Sequence, residues 1–164
     1  MKKVISLFLL FPLLALAGGP ALVPGKSTVA DIEKKRPAEK RVVGGETVYW
    51  FPELPWGYVS YAVRVGDDGK VIAVEQRLTE ENVRKVVRDK TTGKEVRDLL
   101  GPPWEPMKRP TDGNEIWTYP MRIPADPTPK WFLVRLSTDG VVRETNLIDD
   151  MNYNRWGGGR SRGR

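Results

Sequence analysis

Two aromatic blocks recur along this chain in the same order and surroundings, and that repetition limits the folds open to it. Val48-Tyr49-Trp50-Phe51-Pro52 aligns with Ile116-Trp117-Thr118-Tyr119-Pro120, and Gly45 ahead of the first aligns with Gly113 ahead of the second. Further on, Tyr61-Ala62-Val63-Arg64-Val65 with Asp68-Gly69-Lys70-Val71 aligns with Phe132-Leu133-Val134-Arg135-Leu136 and Asp139-Gly140-Val141-Val142. A fixed order of similar blocks is the mark of a duplicated supersecondary unit. Each copy reads as a capped helical segment, a Gly-containing turn, an aromatic strand and a hairpin.

Local signals give each copy its elements. Thr92-Gly93-Lys94-Glu95 is a capping box, in which the Thr hydroxyl and the Glu carboxylate satisfy free backbone N–H groups at a helix start. Val96, Leu99 and Leu100 then fall on one helical face. Gly101 followed by Pro102-Pro103 stops the helix there. A shorter helix is expected over 79–86, with Thr79 as cap and Glu80 and Glu81 in the first turn. In the first copy Thr28 caps residues 29–36, with Val29 and Ile32 as the buried pair. Val59, Tyr61, Val63 and Val65 alternate with smaller or polar residues as a half-buried strand does. Asp68-Gly69 and Asp139-Gly140 mark hairpin turns. The expected class is α+β: two repeats of one or more helices plus a three-stranded antiparallel sheet.

The first 17 residues read as a secretory signal peptide. Lys2-Lys3 supplies the positive start, residues 4–16 the apolar stretch, and Ala15 and Ala17 the small residues before a cut. The stretch is short for a membrane span, the other reading being a retained anchor. The expected organisation is a signal peptide over 1–17, a linker over 18–24, a degenerate first repeat over 25–78, a second repeat over 79–148, and a disordered Arg/Gly-rich tail over 149–164.

The chain has no His and no Cys. This removes thiolate and imidazole metal sites, a Ser-His-Asp triad, and disulfides. No cofactor is expected. The net charge of +6 comes from the ends: without Lys2, Lys3, Arg155, Arg160, Arg162 and Arg164, basic and acidic residues balance at 21 each. The folded part therefore offers no basic face for nucleic acid. The tail arginines Arg155, Arg160, Arg162 and Arg164 are the candidate contacts for anionic lipid or another envelope polyanion, the alternative being a merely solubilising end.

The paired carboxylates have structural readings. Asp67-Asp68 lies in a hairpin turn, Glu80-Glu81 at a helix start, and Asp149-Asp150 ahead of the tail. No catalytic role is assigned to any of them. The strand aromatics Trp50, Tyr61, Trp117, Tyr119 and Trp131 read as core or inter-repeat packing. Trp56, Tyr58 and Trp104 fall in loops between Pro and Gly, and they are the candidate protein-binding residues, because Trp and Tyr dominate interface hot spots, the alternative being that they close the core.

The run Thr91-Thr92-Gly93-Lys94-Glu95-Val96-Arg97-Asp98-Leu99-Leu100-Gly101-Pro102-Pro103, with Trp117-Thr118-Tyr119 and the Asp139-Gly140 hairpin, resembles the SmpA/OmlA family. These are BamE-like small lipoproteins of the outer-membrane β-barrel assembly machine. The tandem arrangement is also similar to β-lactamase inhibitor protein. The resemblance covers most of the second repeat and, in the first, only the aromatic strand and hairpin. It implies a non-enzymatic envelope protein at the periplasmic side of the outer membrane or in the periplasm, binding envelope proteins such as the assembly machine. The alternative it implies is an inhibitor-like clamp on a soluble enzyme. Leu16-Ala17-Gly18 resembles the approach to a lipid-accepting Cys, but Gly19 follows, so this sequence has no acyl acceptor.

Overall fold

The computed structural model describes residues 19–107, 113–150 and 153. Helix α1 (Val29–Lys34) leads into four strands, β1 (Glu39–Val43), β2 (Glu46–Glu53), β3 (Val59–Val65) and β4 (Val71–Gln76). Two helices follow, α2 (Glu80–Val83) and α3 (Gly93–Leu100). Four more strands complete the chain: β5 (Pro106–Met107), β6 (Glu115–Met121), β7 (Lys130–Leu136) and β8 (Val142–Asp149). They form two four-stranded antiparallel sheets in sequential order, β1-β2-β3-β4 and β5-β6-β7-β8. The fold is α+β.

The three-stranded expectation is corrected on both sides. Each sheet begins with an extra strand, β1 opposite the first half of β2 and the two-residue β5 opposite Ile116 and Trp117. The sequence hid β1 because Glu39, Lys40 and Arg41 break the apolar alternation that marks a strand. The extra strands stop short of Pro52 and Pro120, which is why these are tolerated inside β2 and β6. Pro lacks a ladder N–H, and both residues lie beyond the ends of β1 and β5, each paired only on its other side, with Ser60 or Trp131.

The two halves repeat each other bond by bond. Thr28 bridges Lys70 as Thr92 bridges Val141. The Val29 N–H donates to the Gly69 carbonyl (3.1 Å) as that of Gly93 does to Gly140 (2.8 Å). Val71 N–H donates to Ser27 and Val142 N–H to Thr91, both at 2.9 Å. Both sheets shift register at the same place, Arg64/Val65 and Arg135/Leu136. At the helix starts the Asp31 carboxylate accepts from Thr28 N–H (3.0 Å) and the Glu95 carboxylate from Thr92 N–H (2.7 Å). α1 and α2 stop earlier than expected, at Lys34 and Val83.

The inner face of the first sheet packs Tyr49, Val63, Val65 and Val71 on Ile32 of α1 and on Leu22 from the segment read as linker. The inner face of the second packs Trp117, Tyr119, Met121, Phe132 and Val134 on Val96 and Leu100 of α3, with Leu78 and Val83 beside them. Tyr119 is fully buried, and burial holds its hydroxyl far above the ordinary phenol range; Tyr61 is raised for the same reason. A raised native pKa means stability is intact below the unfolded value of 10.0 and is lost as pH climbs above it. Phenolate absorbance and circular dichroism followed together against pH are expected to show Tyr119 ionising only as the chain unfolds. Phenolate formation by Tyr119 in a still-folded chain would contradict this.

Candidate functional site

Strand alternation puts Val48, Trp50 and Ala62 on the outer face of the first sheet. The C-terminal end of α3 lies over part of this face. Gly101, with φ +86°, comes so close that a Cβ there would sit 2.4 Å from Trp50 Cε3 and 2.9 Å from Ser60 Oγ. Ion pairs frame the contact. Arg41 from β1 makes two bonds to Asp98, from Nε (3.0 Å) and Nη2 (2.9 Å). Arg97 Nη2 donates to Glu39 (2.7 Å), with its guanidinium over Trp117. Arg77 Nε donates to the Leu99 carbonyl (3.2 Å), and the Tyr119 hydroxyl to the Gly101 carbonyl (3.1 Å). One helix thus closes the second core with one side and seats itself on the first sheet with the other.

The three expected loop aromatics have three different environments. Trp56, in the β2–β3 loop, is 73% exposed, the most exposed large hydrophobic residue among those described. The loop beneath it is tied down: Gly57 N–H donates to the Glu53 carbonyl (2.7 Å), and Leu54 packs on the second core. Tyr58, in contrast, is buried. Its backbone is left-handed, at φ 56°, and turns the ring inward, where its hydroxyl meets Asp150 Oδ2 at 3.2 Å and Arg122 lies over the ring. Burial first, and then the Asp150 charge, push its pKa up. Tyr58 is therefore the anchor of the loop and is not a free contact residue. Trp104 is half-buried and stands edge-on to Trp131, centroids 6.0 Å apart, and its backbone N–H donates to the Thr118 carbonyl (3.0 Å); it lies against the second sheet.

Of the strand aromatics, Trp50, Tyr61, Trp117 and Tyr119 are buried and Trp131 is half-buried. The paired carboxylates hold local structure. Asp68 accepts from Lys70 N–H, Glu80 and Glu81 pair with Arg84 and Lys85, and Asp149 pairs with Lys130. Asp150 lies two residues into the stretch assigned to the tail, yet it is buried. Arg155, Arg160, Arg162 and Arg164 and the stretch read as a signal peptide lie outside the described residues. Among the described residues no cluster of His, Cys, Asp or Glu could hold a metal ion, and no helix is long and apolar enough to cross a membrane.

The class defined by these features is a two-sheet α+β chain with a clamped, Trp-tipped loop. No family model and no curated protein matches the chain. Among solved structures it is similar to the DUF4309 family protein YjgB from Bacillus subtilis subsp. subtilis strain 168 at 20% identity, over 79% of this chain and 83% of that one, with a TM-score of 0.32. At that score the likeness carries no argument about fold or function.

Proposed function

We propose that this chain is a non-enzymatic binding protein of the cell envelope that holds another envelope protein through the Trp56 loop. The observation that carries the reading is the contrast between the two loop aromatics. Trp56 is spread into solvent while Tyr58, two residues on, is fixed to Asp150 and Arg122. A large rigid aromatic held out on an ordered loop loses little conformational freedom on binding, which is what makes Trp a hot-spot residue. The export signal and the SmpA/OmlA resemblance support an envelope partner of the assembly-machine kind.

The test places a photo-crosslinking amino acid at position 56 in cells of the native host and identifies what it captures. Barrel-assembly subunits are the expected adducts. A single soluble periplasmic enzyme in their place would turn the reading to an inhibitor-like clamp, and an absence of adducts would sink both. Trp56→Ala is expected to weaken the captured complex by roughly thirtyfold, the effect of losing about 2 kcal/mol at a hot spot. Its melting temperature should stay that of the parent chain, because the side chain packs on little within the fold.

A further inference from the structure

The two sheets have four edge strands, and three of them are guarded against pairing with another chain. β5 is two residues long. β1 sets Glu39, Lys40 and Arg41 in succession along its edge. β4 has six residues, and its last side chain, Gln76, bonds back to Leu78 as the chain turns off into α2. β8 has no such guard. It runs for eight residues, and Thr145-Asn146-Leu147-Ile148 within it contains neither a charge nor a Pro. In the alignment of the two halves Val142 stands where Val71 does and Leu147 where Gln76 does, so Ile148 and Asp149 extend β8 past the point where β4 stops. Leu147 and Ile148 are 45% and 40% exposed.

Hydrogen bonding fixes which way β8 presents its backbone. The Asp150 N–H donates to the Pro129 carbonyl (2.8 Å), on the side of β7. Backbone groups alternate sides along a strand, so Ile148, Asn146 and Glu144 also face β7, and Thr145, Leu147 and Asp149 turn their N–H and C=O groups to the open side. At the start of β8 that side is taken, since Val142 bonds Thr91 and Asp89 there. From Thr145 onward no strand among the described residues pairs with it. After Asp150 the chain turns back, with the Tyr153 N–H on the Asp150 carbonyl (3.1 Å) and Arg122 over the Tyr153 ring.

We infer that β8 pairs antiparallel with β8 of a second copy, about a two-fold axis at Leu147, and joins the two second sheets into one. The outward residues are spaced evenly about Leu147. In this register Leu147 meets Leu147 and Thr145 meets Asp149, so the three outward residues of each copy exchange N–H···O bonds with the three of the other and none is left over. The Leu pair covers apolar surface that the single chain exposes, and each Thr145 hydroxyl donates to the Asp149 carboxylate across the seam. Ile148 stands opposite Asn146. Glu144 comes opposite Asp150, its charge already matched by Arg135 (3.2 Å). Any strand could fill the backbone bonds. Filling the side-chain pairings as well takes a strand with an apolar centre and with Thr and Asp at equal distances from it, and β8 is itself that strand. The contact is isologous and closes as a dimer. So short a seam buries less than the roughly 1,200 Å² of a stable interface, which makes the dimer reversible, with a Kd on the order of 10–100 µM. The edge is separate from the Trp56 loop, and the inference does not rest on the proposed partner.

The experiment is sedimentation equilibrium of the full exported chain from roughly 5 to 500 µM, with amide hydrogen exchange followed by NMR over the same range. The expected result is a monomer at the low end and a dimer at the high end, reversibly. The Thr145, Leu147 and Asp149 amides should exchange fast in the monomer and about tenfold or more slowly in the dimer, while those of Asn146 and Ile148 stay slow throughout. Leu147→Pro removes an N–H that points outward, as Pro does on natural edge strands, and this variant is expected to keep its far-UV circular dichroism and remain monomeric. Should it fail to fold, Leu147→Lys sets like charges face to face on the axis and is expected to weaken the dimer about tenfold or more. A chain still monomeric at the highest concentration would overturn the inference. So would a dimer in which the three outward amides exchange as fast as in the monomer, or one indifferent to the substitution at Leu147.

Discussion

Replacing Gly101 with Ala is expected to cost about 3 kcal/mol or more and to split the single unfolding transition into two. The position stands at φ 86° and ψ −169°, a region essentially reserved for Gly. The added methyl would also lie 2.4 Å from the Trp50 ring, which sits on a sheet and cannot retreat. Backbone strain and overpacking each contribute about 1–3 kcal/mol, and here they add, because relieving one does not relieve the other. The contact that suffers is the joint between the halves. A urea titration read by both near-UV and far-UV circular dichroism checks this: the parent chain should melt once, while the variant should lose its first sheet before its second. A variant melting in one step within about 0.5 kcal/mol of the parent would show that Gly101 does not hold the halves together.

Leu100→Ala is expected to destabilise by about 2–5 kcal/mol, the range for removing a fully buried Leu from a packed core. Leu100 has no exposed surface and packs in the cluster that includes Val96, Trp117, Tyr119 and Met121. The loss should appear at the midpoint of denaturant unfolding with the slope unchanged. Val42→Ala is the control. Val42 is 66% exposed on β1 and should change stability by less than about 0.5 kcal/mol. Equal effects from the two would mean that α3 is not the keystone of the second core.

Much of this helix was legible because its signals are local. Thr92 and Glu95 lie within one turn, Gly101 and the two prolines follow at once, and the hairpin turns at Asp68-Gly69 and Asp139-Gly140 need only two residues. β1 was not legible because what holds it comes from far away. Its Glu39 and Arg41 would disqualify it as a strand facing a core, but they meet Arg97 and Asp98, some 57 or 58 residues on. The burial of Tyr58 was not legible for the same reason: its partner Asp150 is 92 residues distant. Trp56 carried the same sequence signal as Tyr58, and only the fold separates the exposed ring from the buried one. Reading the strand aromatics as core or inter-repeat packing was sound for Trp50, yet the sequence held no sign that its N–H would lack an acceptor.

The double duty of α3 has a consequence for how the protein is made. A chain emerges from the ribosome N-terminus first, at about 5–20 residues per second. All four strands of the first sheet are out once Gln76 appears, but the glycine that seats on Trp50 is 101st in line. For a time on the order of seconds the first half has its inner face covered and its outer face, with the Trp50 indole, bare. The nascent first sheet is thus sticky on one side by construction until α3 and Gly101 arrive to cover it.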